Sequence, residues 1–508
     1  MVNSVALAAV VSTVRWLAEL PPVPGRQLTT DTRKVRPGDI FFAYPVGQGD
    51  GRDYIEVAIE QGAVAVVFEE ADFYWNPQWQ VPHCGVNNLL WLSGFIAAEY
   101  LHHPDAPMLT VAVTGTNGKT SCTQWLASAL SFLGTPTSVI GTLGIGLVQK
   151  GSIPAFDVTG FTTPDAVQLQ QKIALQSELG ARAIAIEASS IGLDQGRMNG
   201  MHLDVAVMTN VTRDHLDYHG DMSSYEAAKA RLFSWAGLGT AVINLEDEFG
   251  VRMMQQALAN GVAVIGYTTA ESGTENKNCL RASVIRNYQG GTSFQLDSPF
   301  GSGQIKTRMI GRFNVSNVLA VMATLFASGV VWKDAVHAVE QLCAVPGRME
   351  QLSSPGRALV MVDYAHTPDA LEKTLANLSD VAKERQGKLW CVFGCGGDRD
   401  PGKRPQMGKV AELADEIIVT SDNPRSEDPA AIMAQIAAGI SPQRQFTMET
   451  DRAKAILYAI KHAGKNDVVL LAGKGHEAYQ EVAGRKLPFS DVEHAQIALA
   501  DLSSKGVG

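Results

Sequence analysis

Apolar runs alternate with polar turns along the whole chain, and the runs switch between strand and helix periods. In residues 1–108, the runs 39–43 (DIFFA) and 63–68 (AVAVVF) predict strands, with a short helix over 54–61 between them. VALAAVV, with Trp16, Leu17 and Leu20, predicts a first helix. No Lys or Arg precedes it, so it does not read as a secretory signal. The donor-rich stretches 29–33 and 47–52 read, alone, as solvated turns. From 109 onward the texture is α/β. A buried strand over 109–113 runs into a tight glycine-bearing turn at 114–120. Trp125, Leu126, Ala129, Leu130 and Leu133 then recur at helical spacing. Further strands are predicted at 183–187, 205–208, 240–244 and 262–267, with helical stretches between several of them, which implies a mostly parallel, doubly wound sheet. Residues 280–308 read as hairpins with Gly290 and Gly291 at a turn, and an alanine-rich helix opens near Asn314. Pro346-Gly347-Arg348 marks a second boundary. Strands at 359–364, 389–393, 416–420 and 468–471 repeat the alternation beyond it. The pattern therefore predicts three α/β domains, 1–108, 109–345 and 346–508, with ligands at the carboxyl ends of their strands.

Composition narrows this picture. A chain of 508 residues holds roughly three domains by length alone. Its formal charge of −10 disfavours a general nucleic-acid or anionic-membrane surface, so basic residues should be local and aimed at small anions. Cys84, Cys122, Cys279, Cys343, Cys391 and Cys395 are too few for a disulfide framework in a chain this long. Cys391 and Cys395 sit beside or inside an apolar run, without further ligands at metal spacing. No apolar run approaches the roughly 20 residues that span a bilayer. A cytoplasmic protein is expected.

Chemistry concentrates first at the turn after 109–113. Strand, glycine loop and helix in that order place backbone N–H groups and a helix N-terminus around one point, and Lys119 adds a positive charge. Thr120 supplies a hydroxyl suited to Mg²⁺, which prefers oxygen ligands and bridges phosphates. Val113 stands where the strict P-loop pattern has its first glycine. A nucleotide triphosphate held by Gly115, Thr116, Asn117, Gly118, Lys119, Thr120 and Ser121 is favoured over an ordinary turn with a solvated lysine. Three polar clusters follow: Glu187 at a strand end, His215 within NVTRDHLDYH, and Lys229 on a helix. Singly, these read equally as a strand-end cap, a core histidine and a solvated helix charge.

TGTNGKT, EASS, NVTRDHLDYHG, YEAAK, GRFNVSN, PGRME, DYAHTPDAL, GCGGDRDPGKRPQMG, DNPR and AGKGHE occur in an order that resembles the Mur ligases, over nearly the whole chain. These are ATP-dependent amide ligases of peptidoglycan synthesis. The resemblance implies a central P-loop-type domain of mostly parallel sheet, flanked by an N-terminal α/β substrate domain and a C-terminal Rossmann-like domain. It implies activation of a substrate carboxylate as an acyl phosphate, capture by an amine, and closure of the outer domains to keep water from the intermediate. It also implies ATP and Mg²⁺ as cofactors. A monomeric or weakly associating protein is expected. Thr120, Glu187, His215 and Lys229 match metal-site positions, with Lys229 carbamylated. A lysine of ordinary pKa is neutral in only about one molecule in 2,500 at pH 7, so its surroundings must favour that modification. Asn314 matches an adenine contact and Arg348 a phosphate-facing arginine, while Asp363 and His366 lie in a loop that approaches the nucleotide.

Within the family, the pattern is most similar to the branch that adds the third amino acid to UDP-N-acetylmuramoyl-L-alanyl-D-glutamate. That resemblance assigns Thr30, Thr32, Gln48, Thr162, Thr163, Ser189, Gln195 and Arg197 to the nucleotide-sugar peptide. Ile191 and Phe161 depart from the usual histidine and asparagine there. Asp422-Asn423-Pro424-Arg425, with Arg399, Gly473 and Glu477, matches the pocket for meso-diaminopimelate. Arg425 would grip the distal carboxylate that L-lysine lacks. An L-lysine-adding relative, another Mur ligase or a folylpolyglutamate synthase are alternative ligases. A P-loop ATPase driving motion or assembly is the reading from another class.

Overall fold

β-branched and aromatic residues at Ile40–Ala43 and Ala65–Glu69 build the centre of a first sheet, ordered Leu28–Thr29, Ile40–Ala43, Ala65–Glu69, His83–Val86 and parallel throughout. The computed structural model describes residues 4–47, 49–150, 156–270, 278–288 and 290–504. Helix Ser4–Ala18 buries Val10 and Leu17 against this sheet and against helix Leu89–Tyr100. The predicted first helix thus stops short of Leu20.

Strand Leu109–Thr114 is central to the second sheet. Moving outward on one side come Val205–Met208, Thr240–Asn244 and Ala263–Thr268. On the other come Ala183–Glu187, Thr137–Gly141 and Gly144–Val148. All these pairings are parallel except the last, which is a hairpin. After Leu109–Thr114 the chain goes outward to Thr137–Gly141, returns to Ala183–Glu187 and then crosses to Val205–Met208. The order reverses at the carboxyl end of Leu109–Thr114, where open α/β sheets bind ligands. Both faces of these strands are apolar, as expected of a parallel sheet covered by helices. The chain then runs through Cys279–Tyr288, Gly291–Ser298 and Gly301–Thr307, the stretch read as hairpins.

The third sheet has the order Glu350–Leu352, Leu359–Asp363, Val468–Ala472, Leu389–Phe393, Glu416–Thr420, Thr447–Glu449, with only the first strand antiparallel. Asp363, Gly394, Ser421 and Gly473 therefore begin or adjoin loops at one carboxyl edge. Behind it, Arg452 and Asp491, both fully buried, form a two-pronged ion pair at 2.7 and 2.6 Å, and Arg452 also donates to the Ala472 carbonyl. Either charge would be costly alone in such surroundings, so the pair fixes helices Arg452–His462 and Asp491–Ser504 to the end of that strand.

Two compact units describe the chain: Met1–Arg281 with Asp297–Ser302 and Asn317–Val339, and Ala282–Leu296 with Gly303–Ser316 and Glu340–Gly508. Among the described residues no helix is long and apolar enough to cross a membrane. All six cysteines are free, with Cys391 and Cys395 buried as their apolar surroundings predict.

Candidate active site

The loop after Leu109–Thr114 turns sharply because two glycines occupy backbone that side chains disfavour. Gly115 has φ +148°, and a Cβ there would lie 1.8 Å from Thr209 Oγ1. Gly118 has φ +88°, and its Cβ would meet Asn317 Oδ1 at 2.5 Å. Helix Lys119–Phe132 starts at once, so its first-turn N–H groups face the mouth of the loop. The segment after Val205–Met208 braces it. Thr116 N–H donates to the Asn210 carbonyl (2.7 Å) and Asn117 N–H to Asn210 Oδ1 (3.0 Å), while Thr209 Oγ1 and Asn210 Nδ2 donate to the Asn117 carbonyl. Two N–H groups expected to face an anion are thus turned toward Asn210 instead. The N–H groups of the helix start and the Lys119 ammonium are the donors that lie beside the mouth of the loop.

Lys119 Nζ folds over the loop onto the carbonyls of Gly115 (2.8 Å) and Thr116 (2.9 Å). Lys229 Nζ, on helix Met222–Ala230, donates to the same Gly115 carbonyl at 2.9 Å across 114 residues of chain. Burial, and then the charge of Lys119, hold the Lys229 ammonium well below the usual lysine range. Its ammonium lies over the Tyr225 ring, 4.6 Å from the centroid, and the Tyr225 hydroxyl meets Thr116 Oγ1 at 2.9 Å.

Glu187 is 1 % exposed at the end of its strand. Its carboxylate accepts from Thr120 Oγ1 (3.1 Å), Thr142 N–H (2.9 Å) and Thr142 Oγ1 (3.1 Å), all neutral donors. Among the described residues no Lys, Arg or His pairs with it. A buried carboxylate beside a helix-start hydroxyl, lacking a cationic partner, suits a hard divalent cation. His215, in left-handed backbone at φ 52°, presents a half-exposed ring 3.5 Å from Asp214 Oδ2. Among the described residues no group of three or more His, Cys, Asp and Glu is clustered at metal spacing. Thr120 and Glu187 are therefore brought together directly, whereas His215 is placed on the neighbouring loop.

Positions read for the sugar-peptide form a second chain of contacts in the same unit. Thr162 Oγ1 lies 3.1 Å from Thr142 Oγ1, which links it to Glu187. Thr163 Oγ1 donates to the Glu187 carbonyl (2.7 Å) and meets Ser189 Oγ at 2.9 Å. Ser189 caps helix Ser190–Asp194. Arg197 is held by the Thr163 carbonyl (2.8 Å) and by two bonds to Gln195 Oε1 (3.0 and 2.8 Å). Phe161 lies under its guanidinium at 4.8 Å, so the departure from asparagine touches a candidate residue directly. Thr30 pairs with Asp165, whereas Thr32 only opens the turn Thr32–Lys34. Gln48 lies outside the described residues.

The other candidates lie in the second unit. Asn314 Nδ2 donates to the Ile310 carbonyl, which leaves its amide buried at the start of its helix. Arg348 stacks on Tyr364 at 4.7 Å. Burial raises the Asp363 carboxyl, Arg348 counteracts this, and the backbone N–H groups of Met349 and Ala365 bond it; its observed contacts organise the loop. His366 is exposed, its Nδ1 on the Tyr364 carbonyl. At the neighbouring loops, Arg425 Nη1 donates to the Gly397 carbonyl (2.8 Å), and Arg425 Nε lies 3.3 Å from Glu481 Oε2. Asn423 Nδ2 donates to Glu477 Oε2 at 2.8 Å, and Gly473 adjoins the Asp422 carboxylate. Arg399 is exposed on its own loop. Thr142, Asn210, Tyr225, Lys474 and Glu481 escape sequence reasoning as site residues. Only Asn210, Tyr225 and Lys474 lie in motifs that could have signalled them.

Known families share this framework. Sequence models match residues 26–100 (Mur ligase family, catalytic domain), 113–325 (Mur ligase middle domain) and 347–475 (Mur ligase, glutamate ligase domain). A protein of Janthinobacterium sp. (strain Marseille), named UDP-N-acetylmuramoyl-L-alanyl-D-glutamate--2,6-diaminopimelate ligase, is 57% identical over 501 residues, 98% of each chain. The chain belongs to the Mur ligase family. A second relative with the same name, from Ralstonia nicotianae, is 49% identical to this Mur ligase over 96% of its chain and 95% of the relative. A solved structure titled with that activity is 36% identical, with a TM-score of 0.66, covering 94% of this Mur ligase and 95% of that chain. The MurF ligase of Thermotoga maritima in complex with ADP shares the fold at 18% identity and a TM-score of 0.63, over 95% and 99% of the two chains.

Proposed function

We propose that this chain joins meso-diaminopimelate to UDP-N-acetylmuramoyl-L-alanyl-D-glutamate in the cytoplasm, consuming ATP and releasing ADP and phosphate. The observation that carries this reading is the near-full-length similarity to proteins named for that ligation. ATP transfers its γ-phosphoryl group to a substrate carboxylate. The amine then attacks the acyl carbon, phosphate leaves, and an amide remains. Residues 1–108 and Thr162 to Arg197 serve the nucleotide-sugar peptide, residues 109–345 the phosphates, and 346–508 the amino acid. Lys119 and the helix start stabilise charge on the transferring phosphoryl group. Asn314, Arg348, Asp363 and His366 are assigned to the nucleotide. Mg²⁺, held by Thr120 and Glu187 with His215 and modified Lys229 nearby, would neutralise phosphate charge when bound. Membership of the family weighs against a motor ATPase. In a coupled assay, phosphate release should require both the nucleotide peptide and diaminopimelate, with one new amide per phosphate by mass spectrometry. Equal phosphate release without either acceptor would overturn the reading.

Lys229 suits carbamylation. Its neutral amine, favoured by burial and by Lys119, attacks the carbon of CO₂ and loses one proton to solvent, leaving a carbamate anion. Intact-mass measurement in bicarbonate should show one added CO₂, located at Lys229 and lost together with activity in CO₂-depleted buffer. A fully active enzyme with an unmodified amine would exclude it.

A further inference from the structure

Lys474 belongs to none of the positions assigned above, yet it is fully buried inside the group of residues read for the amino acid. Burying an ammonium is costly unless its donors are all used. Here Nζ donates to Asn423 Oδ1 at 3.1 Å and to Glu477 Oε2 at 3.0 Å, and lies 3.6 Å from Asp422 Oδ1. One cation thus stands between two carboxylates and an amide, all three belonging to candidate amino-acid positions. The amide is locked as well. Asn423 Oδ1 also accepts from the Glu481 N–H (2.9 Å), and Asn423 Nδ2 donates to Glu477 Oε2 (2.8 Å), so only one flip of the side chain satisfies the network. Both donors to Glu477 converge on Oε2. Oε1 carries no hydrogen bond from the described residues and remains available to an ammonium of an incoming amino acid.

We infer that Lys474 is a positioning residue for the amino-acid pocket: it fixes Glu477 and Asn423 in the one arrangement that offers Glu477 Oε1 to the substrate, and it balances one of the two pocket carboxylates. This inference rests on the proposed diaminopimelate ligation and deepens it. Without the ammonium, Glu477 loses its anchor, the Asn423 amide can turn over, and two uncompensated carboxylates face a substrate that itself carries carboxylates.

The test separates amino-acid binding from the rest of the reaction. Lys474→Gln and Lys474→Met should raise KM for diaminopimelate by about 30-fold or more. KM for ATP and for the nucleotide peptide should stay within about twofold, as should nucleotide-peptide-dependent ADP–ATP exchange, which needs no amino acid. Because Lys474 acts through Glu477, Lys474→Gln combined with Glu477→Gln should be no worse than Glu477→Gln alone. Unchanged KM for diaminopimelate, a parallel rise in all three KM values, or strict additivity in the double variant would overturn the inference. So would failure of both single variants to show a cooperative thermal transition, which would make Lys474 a stability element only. Absence of any diaminopimelate amide from the unmodified enzyme would instead refute the proposed ligation.

Discussion

Lys119→Ala is expected to lower the rate of ATP-dependent amide formation by about 10²–10³-fold, the cost of removing a preorganised charge from a developing oxyanion. The geometry gives the reason. Lys119 is the first residue of its helix, and its ammonium is already gathered over the loop by the Gly115 and Thr116 carbonyls. It therefore sits beside the helix N-terminus rather than reaching in from solvent, and little reorganisation is needed when phosphoryl charge moves. The brace from Thr209 and Asn210 does not involve the Lys119 side chain, so the loop should keep its shape in the variant. Lys119→Arg should not restore the rate, because a planar fork cannot occupy the same point above two carbonyls. Steady-state phosphate release with all three substrates saturating checks both variants. A Lys119→Ala enzyme retaining more than about a tenth of the normal rate would contradict the assignment of the phosphoryl-transfer site.

The glycine loop after Leu109–Thr114 was legible because its demands are local. Two glycines at positive φ, a buried strand before them and a helical period after them all lie within a short stretch of sequence. The central strands were legible for the same reason, since a strand buried on both faces is a plain apolar run. Other strands carry no such mark. His83–Val86 is HCGV, Leu28–Thr29 is two residues long, and Tyr479–Val482 (YQEV) has no fully buried residue. Thr137–Gly141 and Gly144–Val148 hide in glycine-rich sequence because a tight hairpin joins them. Site partners were lost where contacts bridge long separations. Thr142 meets Glu187 across 45 residues, and Lys474 meets Asn423 across 51. Nothing in a linear pattern signals that Asn210 takes the N–H groups of Thr116 and Asn117. The motif NVT named the residue, but only the parallel pairing of Val205–Met208 with Leu109–Thr114 puts it beside the loop.

Arg425→Ala should collapse the preference for meso-diaminopimelate over L-lysine, from on the order of 10⁴ to about 10² or less. The loss should fall almost wholly on kcat/KM for diaminopimelate. The two amino acids differ by one carboxylate on the distal carbon, and the pocket's response to it depends on how the guanidinium is held. Arg425 takes a left-handed backbone conformation at φ 51°, and its N–H and carbonyl are engaged by the Glu481 carbonyl and Ala483 N–H. The side chain then spends Nη1 on the Gly397 carbonyl and faces Glu481 with Nε, while Nη2 has no hydrogen bond among the described residues. That arrangement fixes the plane of the fork and leaves a donor edge for an incoming carboxylate. With lysine in the pocket, the same edge would be desolvated and unmatched, which is the expected source of the discrimination. Arg425→Lys keeps the charge but removes the fork, so it should recover little of the preference. Product formation with each amino acid, run side by side on wild type and both variants, decides the matter. If the unmodified enzyme uses lysine as readily as diaminopimelate, or Arg425→Ala lowers both equally, the guanidinium is not the element that reads the distal carboxylate.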